Sequence, residues 1–283
     1  MEGVWKMIGK KALEKACSLI YPADIYCLSC GKAIDPGHVY SLCEDCLNEI
    51  VWADRRNCRI CGKPLESWYP AELCSECLVM PRSFERGVTC FLYREGGRRM
   101  IMDLKYHGKQ YIARVLGRIL ADRILFEGLD FDLCVHVPMY KKKEQERGYD
   151  QAELIARFTA KNLEKSFYPG ILVRTRATAP MNSLTAVERK RNLRDAFTVR
   201  EEARERIQGR SVLLIDDIYT TGATMNECAS ELKKAGAAHV WIASIASGRN
   251  QRELAEERDF AESSAGRSAD SVSERIRDFA DDR

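Results

Sequence analysis

The apolar positions of this chain follow two periods. Short continuous runs read as buried strands, and longer stretches with apolar residues three or four apart read as helices. The clearest run is Val212 to Ile215, bounded by Asp216 and Asp217. A loop of small and hydroxyl residues follows, Thr220-Thr221-Gly222-Ala223-Thr224. Beyond it Met225, Cys228, Ala229, Leu232 and Ala235 fall at helical spacing, and Gly236 stops the helix. Further strands are predicted at Ser83 to Phe91, Phe131 to Pro138, Ile171 to Thr175 and His239 to Ser247. Met100, Ile101 and Leu104, then Ile112, Leu116, Ile119, Leu120 and Ile124, form two helical faces broken at His107-Gly108. The break fits either a plain turn or a basic residue, Lys105, turned toward a ligand. Another helix is predicted from about Asp150 to Glu164. Strands alternating with helices define an α/β fold with a mostly parallel sheet.

Both ends depart from this pattern. Val4 to Ile20 can form an amphipathic helix, ended by Pro22. Its apolar face fits packing on the rest of the protein, and its flanking lysines also fit a membrane surface. From Arg249 onward the chain is charged, rich in Ala, Ser, Glu and Arg, and poor in large apolar residues, which predicts a disordered or partly helical tail. The expected organisation is an N-terminal helix over 1–22, a cysteine-rich module over 23–80, the α/β domain over 81–248 and the tail over 249–283.

Composition narrows the class. The 283 residues suffice for one medium domain and something small. The formal charge of +3 demands neither nucleic acid nor membrane. It is unevenly spread, since the tail from Arg249 holds 7 basic and 10 acidic residues and leaves the body at +6. No apolar run approaches the roughly 20 residues of a membrane helix. Lys6, Lys10, Lys11 and Lys15 interrupt any signal-peptide core, so no export is expected. Of 12 cysteines, eight fall in C-x-x-C pairs, which favours metal in a reducing compartment, and the cytoplasm is the expected location.

The pairs are Cys27/Cys30, Cys43/Cys46, Cys58/Cys61 and Cys74/Cys77, a tandem repeat of C-x-x-C-G-K, spacer, C-x-x-C-L. Two thiolates of one pair reach one tetrahedral ion, and two pairs fill it. Four sulfurs favour zinc, with iron as the alternative. Pairing in sequence follows the repeat, and an interleaved pairing also satisfies the count. With every position taken by sulfur, such a site is structural and supplies the stability that a short module's small core lacks. Arg55, Arg56, Arg59 and Lys63 are the module's best basic patch, too sparse to declare nucleic-acid binding. His38 is a spare ligand that complete cysteine sets do not need.

The stretch from Val212 to Thr224 carries the remaining chemistry. A strand that ends in acids and opens a helix through a glycine turn is a phosphate site, because the helix N-terminus offers unpaired N–H groups. Gly222 lets backbone approach an anion. Carboxylates repel phosphate, so Asp216 and Asp217 must face ribose hydroxyls or magnesium. Together they read as a ribose-5-phosphate cradle. A second phosphate-type feature is the basic stretch after Pro138, from Tyr140 through Lys141 to Arg147, which also fits a solvated face.

Four apolar residues, two acids and T-T-G-x-T closely resemble the phosphoribosyl-pyrophosphate (PRPP) motif of type I phosphoribosyltransferases. Glu146-Arg147-Gly148-Tyr149-Asp150-Gln151-Ala152-Glu153-Leu154 resembles the R-G-F/Y-N-Q-A-E-L signature of the ComF competence-protein family, whose members join zinc knuckles to a phosphoribosyltransferase domain. The resemblance spans about 17 to 248. Asp150 departs from the usual Asn, and Met181 stands about where the family tends to have Gln. The implied fold is a type I phosphoribosyltransferase-like, mostly parallel sheet with helices on both faces, preceded by a double zinc ribbon. The implied ligands are PRPP, magnesium and two structural zinc ions. Asp216 and Asp217 would hold the ribose hydroxyls and act in catalysis, and Thr220, Thr221, Gly222, Ala223 and Thr224 the 5-phosphate. Tyr140 and Lys141, supported by Arg147, would hold pyrophosphate. Arg176 to Phe197 resembles the segment that closes over substrate. The competing class is a silent binding protein, whose implied partner is single-stranded DNA or the DNA-uptake machinery.

Overall fold

The computed structural model describes residues 25–35, 37–53, 56–67, 69–176 and 195–248. The predicted N-terminal helix, most of the segment assigned to closure (177–194) and the tail from 249 lie outside the described residues. Seven strands form: β1 (Arg86–Leu92), β2 (Leu133–His136), β3 (Ser166–Phe167), β4 (Leu172–Arg174), β5 (Phe197–Val199), β6 (Ser211–Tyr219) and β7 (His239–Ser247). The helices are α1 (Glu44–Asn48), α2 (Ser75–Val79), α3 (Glu95–Tyr106), α4 (Ile112–Glu127), α5 (Lys141–Arg147), α6 (Gln151–Asn162), α7 (Arg204–Ile207) and α8 (Ala223–Lys234).

Five strands make a parallel sheet in the order β1-β7-β6-β2-β3, while β4 and β5 pair antiparallel. Alternation along the strands sorts the core into two faces. Leu213 and Ile215 of β6 join Ala243 and Ile245 of β7 beneath α3, α4 and α6. Val212 and Leu214 join Val240 and Ile242 beneath α8 and the β4–β5 pair. Helices therefore cover both faces, as a parallel sheet requires. The chain leaves β2 for β3 over the first face through α6, and leaves β6 for β7 over the second face through α8. These connections run in opposite directions from neighbouring strands. The crevice outside the carboxyl ends of β2 and β6 is thus the switch point where ligands of open α/β sheets bind.

The cysteine-rich region shares these cores and falls in the same compact unit as the sheet. Cys27, Cys43 and Cys46 belong to the first face, and Cys58, Cys61, Cys74 and Cys77 to the second, so the module straddles edge strand β1. The link between its halves pairs with that edge. Ala53 N donates to Cys90 O at 2.8 Å, Leu92 N donates to Val51 O at 2.8 Å, and Trp52 forms an antiparallel bridge with Phe91. An otherwise open edge is closed.

Three local expectations change. The strand expected to end at the acids runs through Asp216 and Asp217 and continues to Tyr219 as β6. The stretch after Pro138 is helix α5 from Lys141, with Tyr140 as its N-cap and no buried residue, so periodicity could not reveal it. Lys63 is 2 % exposed beside Glu76 at 3.7 Å, Arg59 pairs with Glu72 at 2.8 Å, and Arg56 donates to Tyr69 O at 2.9 Å. These residues are engaged within the module.

Gly31 and Gly62 hold the same place in the repeat, at φ +76° and +72°. A Cβ on Gly31 would meet nothing within 4 Å, whereas one on Gly62 would stand 2.3 Å from Gly87 O of β1. Gly31→Ala should therefore cost about 1–2 kcal/mol from backbone strain alone. Gly62→Ala should cost about 1–3 kcal/mol more, because β1 must move. Chemical denaturation of the two variants tests this, and equal losses would mean that the module is not clamped to β1.

Candidate functional site

The four pairs assemble in sequence. Cys27, Cys30, Cys43 and Cys46 form one group, and Cys58, Cys61, Cys74 and Cys77 the other, with the sulfurs of each group within 4.8 Å of one another. The interleaved pairing is thereby excluded. Both knuckles repeat one hydrogen-bond pattern: Gly31 N donates to Cys27 O and Gly62 N to Cys58 O, while Cys27 N and Cys58 N donate to Lys32 O and Lys63 O. Cys30 and Cys43 sulfurs are 3.7 Å apart, and Cys61 and Cys74 sulfurs 3.6 Å. Zinc–sulfur bonds of about 2.3 Å in a tetrahedron place sulfurs about 3.8 Å apart, so both groups fit zinc. Hydrogen bonds from Cys61, Cys74 and Cys77 pull the Cys58 thiol well below its ordinary range, and the same clustering drives Cys74 far above it. His38 turns away to Asp35 O at 3.0 Å.

The crevice at the switch point gathers the other predicted residues. Asp216 and Asp217 lie near the carboxyl end of β6. The turn that follows places Gly222 at φ +75° as the N-cap of α8, and no side chain caps the twelve-residue helix. A Cβ on Gly222 would stand 2.1 Å from the Tyr219 hydroxyl, so glycine is required by conformation and by space. Tyr140 and Lys141 follow β2, which pairs with β6, and so come to the same edge of the sheet. Arg147 lies at the far end of α5, stacked 5.3 Å over the Tyr106 ring and bonded to Gln151.

Two side chains fix the crevice walls. Asp150 accepts from Ala152 N at 2.8 Å and Glu153 N at 3.2 Å, capping α6, and its other oxygen accepts from Met139 N at 2.8 Å. Three donors suit a carboxylate, which has an oxygen for each side of this junction. Lys105 of α3 reaches Asp217 with 3.0 Å to both carboxylate oxygens. Burial alone would lower its ammonium pKa, and the Asp217 carboxylate more than reverses this, so the net shift is upward. The break after α3 is a locked turn, since Asp103 binds His107 Nδ1 at 2.6 Å and Lys109 Nζ at 2.9 Å. Of that turn's basic residues, Lys105 faces the crevice.

Asp216 has no such partner. Its Oδ1 accepts from Asp217 N at 2.8 Å. Burial and then the neighbouring Asp217 push its carboxyl well above the usual carboxylate range. A cation or a pair of hydroxyls beside it would relieve this.

Sequence reasoning missed Arg82 and Tyr219. Arg82 Nη2 donates to Thr221 O at 3.0 Å, across 139 positions that no local signal bridges. Tyr219 was open to detection, because Ile218-Tyr219 extends the β-favouring run past the acids.

The sheet order, the crevice and the acid–glycine turn define a phosphoribosyltransferase-like α/β domain joined to a double zinc ribbon. Family models agree: a phosphoribosyl transferase domain matches 151–266 and a double zinc ribbon domain 16–78. The DNA utilization protein YhgH of Escherichia coli K12 is 34% identical over 170 residues, 58% of this chain and 73% of that protein. Competence protein F of Haemophilus influenzae is 29% identical over 169 residues, with the same coverage of each. The chain belongs to the competence protein F (ComF) family. Among solved structures, the glutamine PRPP amidotransferase of B. subtilis with ADP and GMP matches at TM-score 0.36 and 19% identity, over 50% of this chain and 30% of that one. Adenine phosphoribosyl transferase of Trypanosoma brucei, with AMP, pyrophosphate and ribose-5-phosphate, matches at TM-score 0.33 and 17% identity, over 50% and 54%.

The raised Asp216 pKa has a sign that can be tested. As pH rises above about 4 the unfolded chain releases this proton first, so the folded state loses relative stability through the interval up to its own pKa. Asp216→Asn keeps the bond to Asp217 N and carries no charge. The ligand-free variant should melt higher than wild type by a few degrees near neutral pH, with the gap closing toward about pH 4. Equal melting at all pH values would show that Asp216 is unstrained.

Proposed function

We propose that this chain binds PRPP with magnesium in the crevice between β2 and β6. The observation that carries this reading is the adjacency of two acids, one in an anionic surplus, to a left-handed glycine turn and an uncapped helix start. Asp216 and Asp217 face the ribose hydroxyls. The amides and hydroxyls of Thr220, Thr221, Gly222, Ala223 and Thr224 hold the 5-phosphate. Tyr140 and Lys141 at the head of α5 hold pyrophosphate, and Arg147, docked on Tyr106, supports that helix. Magnesium lets pyrophosphate and carboxylates share one site. Lys105 is a positioning residue, since it sets the Asp217 carboxylate without being required to touch ligand. In turnover the bond from ribose C1 to pyrophosphate breaks as C1 bonds to the nitrogen of an acceptor base or amine, and positioning with electrostatic stabilisation of the departing group supplies the catalysis.

A second reading keeps the cradle without turnover and assigns the chain to DNA handling. The names of its relatives, a DNA utilization protein and a competence protein, support a role in DNA uptake or use, with single-stranded DNA or the uptake machinery as partner. Two structural zinc ions and a reducing, cytoplasmic setting complete the proposal.

Calorimetric titration of PRPP with and without magnesium tests it. Binding should require magnesium. Asp216→Asn should weaken it by roughly 1.5–3 kcal/mol, about tenfold to a hundredfold, as expected for one charged hydrogen bond. Asp217→Asn is the poorer probe because it also strands Lys105. Absent binding, or full affinity in Asp216→Asn, would sink the proposal. Binding without pyrophosphate release from any base or amine in a broad panel would leave the silent binder.

A further inference from the structure

The two cysteine clusters differ in what they touch. The second, all four of whose cysteines are buried, shares one core with Tyr219 and Met225, the residues that flank the glycine turn. The segment after Cys77 is stitched to that turn on both sides. Arg82 Nη2 donates to Thr221 O at 3.0 Å, one residue before Gly222. Ser83 N donates to Asn226 Oδ1 at 2.8 Å in the first turn of α8. Tyr219, whose buried hydroxyl meets the Cys61 side chain, lies directly beneath Gly222. Arg82 also turns buried N–H groups toward the cluster, where its guanidinium is hydrogen-bonded to the Cys77 side chain. The groups whose charge acts on its guanidinium are Tyr219, Cys77 and Cys61. A buried guanidinium is costly beside neutral thiols and is stabilised beside thiolates. A bound divalent ion deprotonates its thiols and leaves a four-cysteine site with a net charge of about −2, which such a cation offsets.

We propose that metal in the second cluster sets the phosphate turn through Arg82, so that occupancy of this cluster and of the crevice are thermodynamically linked. The linkage rests on the preceding reading only for the identity of the ligand. Arg82 is a positioning residue, and the first cluster, on the other face of the sheet, is outside the linkage. Coupling of this kind is reciprocal: if metal favours ligand, ligand retains metal.

Zinc release from the full chain to a chromophoric chelator reads the effect, with alkylation of freed thiols assigning each phase to its cluster. Saturating PRPP with magnesium should slow release from Cys58, Cys61, Cys74 and Cys77 by about tenfold and leave the other cluster unchanged. In Arg82→Met both rates should ignore PRPP while zinc content stays as in wild type. Arg82→Lys, which keeps the charge, should restore part of the difference. Without any ligand, amide exchange over 219–226 should be faster in Arg82→Met than in wild type. Unchanged exchange there, or ligand-independent release from wild type that binds PRPP, overturns the linkage. If Arg82→Met does not fold, the wild-type release rates decide alone. Faster exchange in Arg82→Met with no PRPP binding by wild type upholds Arg82 as the brace of the turn and removes PRPP as the ligand.

Discussion

Closure of the β1 edge is the constraint on which the rest of this molecule depends. A parallel sheet needs cover on both faces, and a long open edge strand invites unwanted pairing. Here one cysteine-rich module does both at once. Its two halves join opposite cores, and the three residues between them pair with β1. The contact is made backbone to backbone at Gly62 and Gly87, where no side chain fits on either partner. Metal in the module therefore stabilises more than the module, because its binding energy holds the strand that borders β7. Loss of a cysteine ligand from the second cluster opens a core that also contains Met225 and Leu232 of α8.

The other organising feature is a concentration of negative charge at the switch point. Asp217 is buried and ion-paired with Lys105, whereas Asp216 makes no direct ion pair among the described residues and the charges of Lys105 and Arg174 offset it only in part. A fold selected for stability alone would place one carboxylate there or none. Retaining two stores unfavourable electrostatics that a cation or a diol can release, which is how binding energy becomes specific for a ligand that brings both.

Much of this was legible in the chain itself. β7 matches its expected range from His239 to Ser247, because its apolar run has no charged interruption. The cysteine spacing announced two four-sulfur sites, and only proximity in space could choose the pairing. What was not legible had physical causes. The acids looked like the end of β6, since carboxylates seldom lie in a buried strand without partners distant in sequence. Helix α5 has no apolar face to betray it. β5, three residues long, is held by pairing with β4 and not by pattern. Lys63 sat in an apparent basic patch, yet its burial is set by Glu76 across the knuckle. The Arg82 link joins segments whose sequences carry no shared signal.

The acids also bear on which phosphate the crevice suits. A nucleic-acid backbone presents a row of phosphates to be met by cations, and its affinity rests on counterion release. At this crevice Lys105 is spent on Asp217, Lys141 stands at the head of α5, and the Asp216 carboxylate adds repulsion. In the cysteine-rich module, Arg56, Arg59 and Lys63 are likewise engaged internally. DNA sugars lack the 2′-hydroxyl that paired carboxylates would read. A small ligand that brings its own magnesium, a ribose diol and a terminal phosphate meets each element with the opposite polarity. If the crevice holds such a ligand, DNA handling by this chain calls for a different surface.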